Sequence, residues 1–503
     1  MERVYHLRDE VDEFSPAVEQ FTILQARLRS EEAARMEHEE VEKLLKKDGT
    51  ELLRRLLQGH LDVRAANETR AEAIQGADDT LRSHHRNSCE RDLGTTFGTV
   101  KVNRLGYSAR GTTSLFPMDA VLNLPLDKYS HGLRLRLAGE ISKNSFDNAV
   151  VAIEETTGGN IPKRQAEQLA ALISQDFEAF YQRRSLDELE QTKDLMILTM
   201  DNKGIVMRQQ DLREGTRKQA EKQAGQRKAR LGKGEKRNRK RMAAVASVYT
   251  IGKHHRTADE IMGSGQTDRT QPKPKPRNKR VWASVEREPE RVAGEVFEEA
   301  IRRDPEQHRE WVVLVDGEMR QIDRIVDQAA HHHVAVTVVL DFIHVLEYLW
   351  KAAYCFFVEG SQEAERWVRE RARNILKGRA SHVAAGIRRS ATLRGLSAKK
   401  REAADKCANY LIKYQEALRY DEYLSQGYPI ATGVIEGACR HLIKDRMDLT
   451  GARWRLKSAE AILKLRSLRS SNDFDEYWEF HKAEEFRRNH ASRYADAPLR
   501  NAA

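Results

Sequence analysis

Three acidic residues stand where an α/β protein places catalytic carboxylates. Asp201 follows the apolar run LMILTM at 195–200, and Asp316 follows WVVLV at 311–315 and precedes a glycine. Glu436 lies in the helical stretch ATGVIEGACRHLIKDRMDLTG at 431–451. Open α/β sheets carry their sites at the carboxyl ends of strands, which is where Asp201 and Asp316 are expected. Carboxylate oxygens without His or Cys suit a hard divalent cation, Mg²⁺ or Mn²⁺. Two such ions about 3.5–4 Å apart activate the attacking oxygen and stabilise the leaving oxygen of a phosphodiester. Taken singly, each acid is an ordinary turn or surface residue; two strand ends plus a later helix form the pattern that points to chemistry. Asp341 complicates it, because it also ends an apolar run, VAVTVVL at 334–340, and competes with Asp316 for the second ligand position. Asp341 and His344 are one helical turn apart and can face the same way. They can steer a DNA strand or assist proton transfer, or Asp341 can simply cap a helix.

The cations are clustered. Between 217 and 241 there are twelve Lys/Arg and two acids, and between 371 and 401 ten Lys/Arg and no acid. Such patches are the electrostatic footprint of a polyanion binder, since each phosphate contact releases counterions. In the second patch Arg388, Arg389, Lys399, Lys400 and Arg401 are the candidates for DNA contact. Arg440, Lys444 and Arg446 follow Glu436 at helix spacing or just beyond and can reach phosphates. Arg453 and Trp454 are similar, Trp454 either stacking on a base or, as the first expectation, filling the core. His84, His85 and Cys89 make a weak metal cluster, and Asp341 with His344 lacks the further ligands a zinc site needs.

Positioning these groups requires several elements. The chain has 503 residues, 40% hydrophobic and 33% charged, with a net charge of +10. No apolar run approaches the ~20 residues of a spanning helix, which excludes a membrane protein, and MERVYHLRDEVDEF does not resemble a signal peptide. Four cysteines without a CxxC pair indicate neither a disulfide scaffold nor a cysteine zinc site, and a reducing, cytoplasmic setting is expected. Helices are predicted from 16 to about 75, with Gly49 and Thr50 dividing two of them and Gly59 ending the second. A short β-hairpin segment is expected at about 95–124, then helices at 129–182 broken at 158–162 in the manner of a helix-turn-helix or two plainly packed helices. Strands at 195–200, 242–251, 279–285, 311–315 and 334–340 alternate with helices, which predicts an α/β sheet with helices over its faces. From 342 to about 425 the pattern is helical throughout; further helices follow at 431–444 and 457–468.

That order of elements, strand with Asp, two strands, helix, strand with Asp, helix, strand, then a helix with Glu, is the ribonuclease H-like order. With a helical block inserted before the Glu helix it resembles the DDE transposases. The motifs TMDNKG at 199–204, VDGE at 315–318, DFIHVLEYLW at 341–350 and TGVIEGACRHLIKDRMDLTGARW at 432–454 resemble the ISKra-type insertion-sequence transposases, distant relatives of the Mutator-like group. TTFGTVKVNRLGY and FPMDAVLNLP extend the resemblance over about 85–470. It implies Asp201, Asp316 and Glu436 as catalytic triad and metal ligands for two Mg²⁺ or Mn²⁺ ions, and it assigns the Asp-x-x-His motif to Asp341 and His344. It further implies a nuclease and strand-transfer enzyme acting on terminal inverted repeats and target DNA, at least a dimer on DNA, in the cytoplasm of a bacterium in association with the nucleoid. A non-catalytic DNA-binding descendant and a ribonuclease H-like structure-selective nuclease are the alternatives. The expected organisation is a helical, small-β DNA-binding region at 1–185, a ribonuclease H-like core at 190–350, a basic all-helical insertion at 351–427, the end of the core with the Glu helix at 428–475, and a tail at 476–503.

Overall fold

The computed structural model describes residues 12–184, 192–224, 238–263, 273–449 and 451–495. The chain divides into two compact units, Met1–Arg183 with Phe474–Ala503, and Arg184–Asp473. Among the described residues no helix is long and apolar enough to cross a membrane.

In the first unit, helices Ser15–Leu28 and His38–Ala66 pack together. The break expected at Gly49 and Thr50 does not occur, because the Thr50 hydroxyl donates to the Lys46 carbonyl at 2.6 Å and so bonds back into the helix rather than capping a new one. Gly59 does not end the helix either. It admits the backbone of Glu13, whose carbonyl would lie 2.7 Å from a Cβ at that position. Two short strands, β1 (Ile74–Gln75) and β2 (Leu81–Arg82), precede an antiparallel hairpin of β3 (His84–Thr95) and β4 (Gly98–Ser108). The hairpin is longer and begins earlier than its apolar residues suggest, since the outward positions of β3 are polar. Val100 and Val102 alternate inward to join Leu61, Leu93, Met118 and Leu124 in a core. Helices Phe146–Thr156 and Lys163–Ile173 flank the expected break. Residues 474–495 are not a tail. Helix Phe474–Asn489 buries His481, whose Nδ1 lies 2.7 Å from Asp176 Oδ2, and Glu485, which pairs with buried Arg134 at 2.8 Å.

The second unit is built on a five-stranded mixed sheet of β5 (Leu195–Val206), β6 (Lys240–Ile251), β7 (Arg277–Ser284), β8 (Trp311–Val315) and β9 (Val336–Leu340), in the order β7-β6-β5-β8-β9. β5, β6 and β7 form an antiparallel meander, while β8 and β9 run parallel to β5. Helices Pro289–Arg303 and Met319–His331 make the two crossovers into parallel strands. Arg280 and Trp282, two positions apart on β7, bond to Glu299 and Glu295 of helix Pro289–Arg303, which fixes that helix on their face of the sheet. Between β9 and residue 432 the chain makes an all-helical excursion comprising Phe342–Ala353, Gln362–Leu376, Ala380–Leu393, Ala398–Lys413 and Tyr420–Ser425. β9 is an edge strand, and an edge exposes unpaired carbonyls. Tyrosine hydroxyls satisfy several of them here and in the adjoining loop: Tyr420 donates to Leu340 O at 2.8 Å, Tyr423 to Val338 O at 3.3 Å and Tyr410 to Asp316 O at 3.1 Å.

Candidate functional site

The parallel register brings the aspartates together. β5 pairs with β8 up to Thr199↔Leu314, and β8 with β9 up to Val315↔Leu340. Asp201 and Asp316 each lie two positions beyond the first of these pairs, and Asp341 one beyond the second, so the three stand level across three neighbouring strands. Asp201 does not end its strand as expected. β5 continues to Val206, and Asp201 pairs with Val245 of β6. What ends at that level is β8, and the two-stranded arm of β5 and β6 extends past it.

The three carboxylates have different surroundings. Asp341 is fully buried and caps helix Phe342–Ala353, accepting from Ile343 N at 2.7 Å. Its other oxygen accepts from Thr432 N at 3.1 Å and from the Thr432 hydroxyl. Phe342 N also donates to Ile430 O at 2.9 Å. Asp341 thus stitches the entry of the helical excursion to its exit. Of the roles weighed for it, the helix cap is the one these contacts form. His344 is half-buried one turn later, and its Nδ1 has no hydrogen-bond partner among the described residues. Asp316 is half-buried, one oxygen accepting from Glu318 N at 3.0 Å. The next residue, Gly317, adopts φ +92°, and a Cβ there would lie 2.8 Å from the Tyr410 hydroxyl, so glycine is required both for the turn and for the packing.

Glu436 is exposed on helix Gly433–Ala438, which packs on β5 and β6. This helix passes at Cys439–Lys444 into a π-helical segment and resumes at Asp445–Met447. A π segment strains the backbone ladder and occurs often at functional sites. Arg466 Nε supports it by donating to Leu442 O at 3.0 Å, and its Nη2 donates to His441 O. The shift in phase seats Cys439 against β5, where its thiol donates to Asp201 Oδ2 at 3.1 Å. Burial pushes the Cys439 thiol well above its usual range; the charges of Asp201 and, more weakly, Glu436 push the same way. Cys439 thus ties the end of the Glu436 helix to Asp201. It stands three residues after Glu436 in the sequence, a helical spacing that was visible, but without a second cysteine nothing singled it out.

Several basic candidates change role. Arg446 is buried, its guanidinium 4.9 Å from the Trp454 ring, and burial lowers its pKa to about 10. Trp454 is buried too, donating from Nε1 to Met447 O at 3.0 Å, while its backbone bonds to Val206 and Arg208. Neither can touch DNA from this position; they lock the 451–455 loop onto the end of β5. Arg401 is half-buried in a bidentate pair with Asp405 at 2.8 and 3.0 Å, an acid just beyond the acid-free stretch, so it is not a free phosphate contact. Arg440, Lys444, Arg453, Arg388, Arg389, Lys399 and Lys400 are exposed. Much of the first basic tract, 225–237, lies outside the described residues. His85 is engaged with Glu72 O at 2.8 Å and with Arg70, which accounts for it without a metal.

Asp201, Asp316 and Glu436 offer the hard oxygen donors that Mg²⁺ or Mn²⁺ prefers, and fit such an ion in type. In this conformation no group of three or more His, Cys, Asp or Glu side chains among the described residues is gathered to hold one. The thiols give a direct check of the site's packing. Cys89 and Cys355 are half-exposed, whereas Cys407, raised to about 12 by burial, and Cys439 are buried. Thiolate and access together set reactivity. With Ellman's reagent at pH 8, Cys89 and Cys355 should react in the native protein and Cys407 and Cys439 only on unfolding; a fast reaction lost in Cys439→Ser would show that Cys439 is not packed against Asp201.

No protein-family model matches the chain, and no curated protein matches it either.

Proposed function

We propose that this protein is a DDE transposase with a ribonuclease H-like core, which cleaves the ends of a mobile DNA element and joins the freed 3′-hydroxyl to target DNA. The observation that carries the reading is the sheet order β7-β6-β5-β8-β9, with Asp201 on β5 level with Asp316 just past the end of the adjacent β8. That is the order expected of a ribonuclease H-like core. The position of Glu436 adds support, on a helix packed against β5 after an all-helical excursion.

Cleavage by water and joining by a 3′-hydroxyl are both in-line phosphoryl displacements, so one site serves both. Asp201, Asp316 and Glu436 would hold Mg²⁺ or Mn²⁺, two ions in the full site, which activate the attacking oxygen and stabilise the leaving one. The chain's own residues position that set. Glu318 N orients Asp316, the Cys439 thiol orients Asp201, and the turn at Gly317 keeps Asp316 at the mouth of the sheet. Exposed Arg440 and Lys444, on the same helical run as Glu436, and exposed Lys203, two residues beyond Asp201, supply positive charge for a phosphodiester. Double-stranded DNA is the partner, and bringing two element ends together requires at least a dimer.

The test uses the full chain with linear DNA carrying the terminal inverted repeats sought beside its coding region. Nicking and strand-transfer products should form with Mg²⁺ or Mn²⁺. Ca²⁺ should allow binding with little chemistry, because its looser, larger coordination fits the reaction geometry poorly. Zinc dependence, or full activity in a chelator, would overturn the two-metal reading. Tight DNA binding with no cleavage under any metal would favour a non-catalytic DNA-binding protein, and cleavage without joining would favour a structure-selective nuclease.

A further inference from the structure

A cavity of about 640 Å³ opens at the far end of the arm formed by β5 and β6, five to seven residues beyond Asp201, and the chemistry described above makes no use of it. Its floor is apolar, with Val206, Met207 and Leu212 buried and Ala220 half-buried. Its rim is cationic: Arg208, Arg239 and Arg453 line it, all three are exposed, and no acid lines it. Three separate segments supply these arginines, and backbone hydrogen bonds hold the segments together. Met207 N donates to Arg239 O at 3.0 Å, Arg208 N to Trp454 O at 2.9 Å and Trp454 N to Val206 O at 3.0 Å. Neighbouring arginines serve the fold, Arg213 pairing with Glu288 and Arg241 donating to Val285 O at 2.7 Å. Arg208, Arg239 and Arg453 form no ion pair among the described residues. A concavity of one charge sign over an apolar floor focuses its field on an incoming anion. The guanidinium fork matches the oxygens of a phosphate two at a time.

We propose that Arg208, Arg239 and Arg453 form a phosphate clamp, which grips the DNA backbone about five to seven base pairs from the bond being cut. The proposal rests on the transposase reading and deepens it, by placing a backbone contact away from the acids. The spacing follows from the arm. Five to seven residues of extended strand cover roughly 17–23 Å, and successive phosphates of one strand advance about 3.4 Å along the duplex axis. The apolar floor accepts the sugar carbons that flank the gripped phosphate. Further cations favour a polymer over a free nucleotide. Exposed Lys203 stands on β5 between Asp201 and the cavity, and exposed Lys240 and Arg455 adjoin the arginines in the chain. A free nucleotide has no use for charges outside the cavity, whereas a strand running back to the acids meets them. Phosphate contacts fix register and orientation and carry no sequence information. The clamp therefore sets how the duplex lies on Asp201 without selecting which duplex it is.

The experiment measures binding of the full chain to an element-end duplex by anisotropy at several salt concentrations. Replacing Arg208, Arg239 and Arg453 together by Ala should lower the slope of log affinity against log salt by about 0.9 for each lost contact, about 2.7 in all. Between 50 and 200 mM salt, wild type should then lose about 40-fold more affinity than the variant. The triple Lys variant, which keeps the charges, should restore the slope. On the same duplex, phosphate ethylation about five to seven base pairs from the cut should weaken binding of wild type and not of the triple Ala variant. Thermal midpoints report whether the variants fold; should the triple variant fail, Arg239→Ala alone should still lower the slope by about 0.9. An unchanged slope, or interference relieved only at other phosphates, overturns the clamp while the transposase reading stands. A thermal midpoint raised by ATP in wild type and not in the triple Ala variant, with equal salt slopes for the duplex, also overturns it, since the site would then hold a free nucleotide. No binding of wild type to any duplex overturns the transposase reading and this proposal with it.

Discussion

Asp201→Ala, Asp316→Ala and Glu436→Ala should each reduce Mg²⁺-dependent DNA cleavage by about 10³-fold or more, with DNA affinity changed little. A metal centre contributes several kcal/mol of charge stabilisation in the transition state, and each 1.36 kcal/mol is about tenfold in rate. On the proposed reading binding should survive, because the phosphate contacts would come from elsewhere, from the exposed Arg388, Arg389, Lys399, Lys400, Arg440, Lys444 and Arg453. Asp341→Ala is the informative contrast. Asp341 is fully buried and joins residues 341 and 432, so its loss should lower the melting temperature and disturb both steps through the fold rather than through ion binding. Gel-based cleavage assays with metal titrations separate the two cases. A variant at Asp316 that cuts normally, beside one at Asp341 that melts like wild type but does not cut, would reverse the assignment of the second ligand.

The second large effect concerns stability. Glu299 is buried on helix Pro289–Arg303 and accepts from Arg280 at 2.5 Å, from Arg303 at 2.8 and 2.6 Å, and from Arg302. Burial alone would raise its pKa, but the combined charge of Arg280, Arg303 and Arg302 outweighs burial and holds it well below the usual carboxylate range. Glu299→Ala removes the one buried carboxylate on which Arg280, Arg302 and Arg303 converge, a broken buried ion-pair network that costs about 3–5 kcal/mol. For a unit of this size that corresponds to a fall in melting temperature of roughly 10 °C. The pH dependence has a definite sign. A group whose folded pKa is depressed contributes stability that is complete above its unfolded pKa and is lost as pH falls through the folded one. The gap between wild type and Glu299→Ala should therefore be constant from pH 8 down to about 5 and close progressively below about pH 4. Thermal melts across that range measure it; a gap that widens in acid, or no gap at neutral pH, would mean that the arginines do not depend on this carboxylate.

The alternation of apolar runs and amphipathic helices between 195 and 340 was enough to place every strand of the main sheet and both crossover helices, because a buried strand and an amphipathic helix each write their own period into the chain. The candidate acids were legible for the same reason: Asp201 and Asp316 mark where those apolar runs stop. What lies between elements was not legible locally. Asp341 looks like its neighbours in sequence, and only the return of the chain at Thr432, 91 residues on, converts it into a buried tie. Arg446 and Trp454 belong to a basic, aromatic segment that suits DNA as well as it suits a core; the β5 end they pack against decided the matter. Gly49 and Thr50 carry a helix-stop signal that the packing of the long helix overrides. The π-helical turn at Cys439–Lys444 has no sequence period at all, since it depends on Arg466 arriving from another helix to take its carbonyls. Local composition thus determined which residues carry charge, which strands are buried and where acids interrupt the apolar runs. Contacts across tens to hundreds of residues decided which of those acids remain open to solvent and which are spent holding the fold together, because burial and hydrogen-bond partners are properties of the folded neighbourhood.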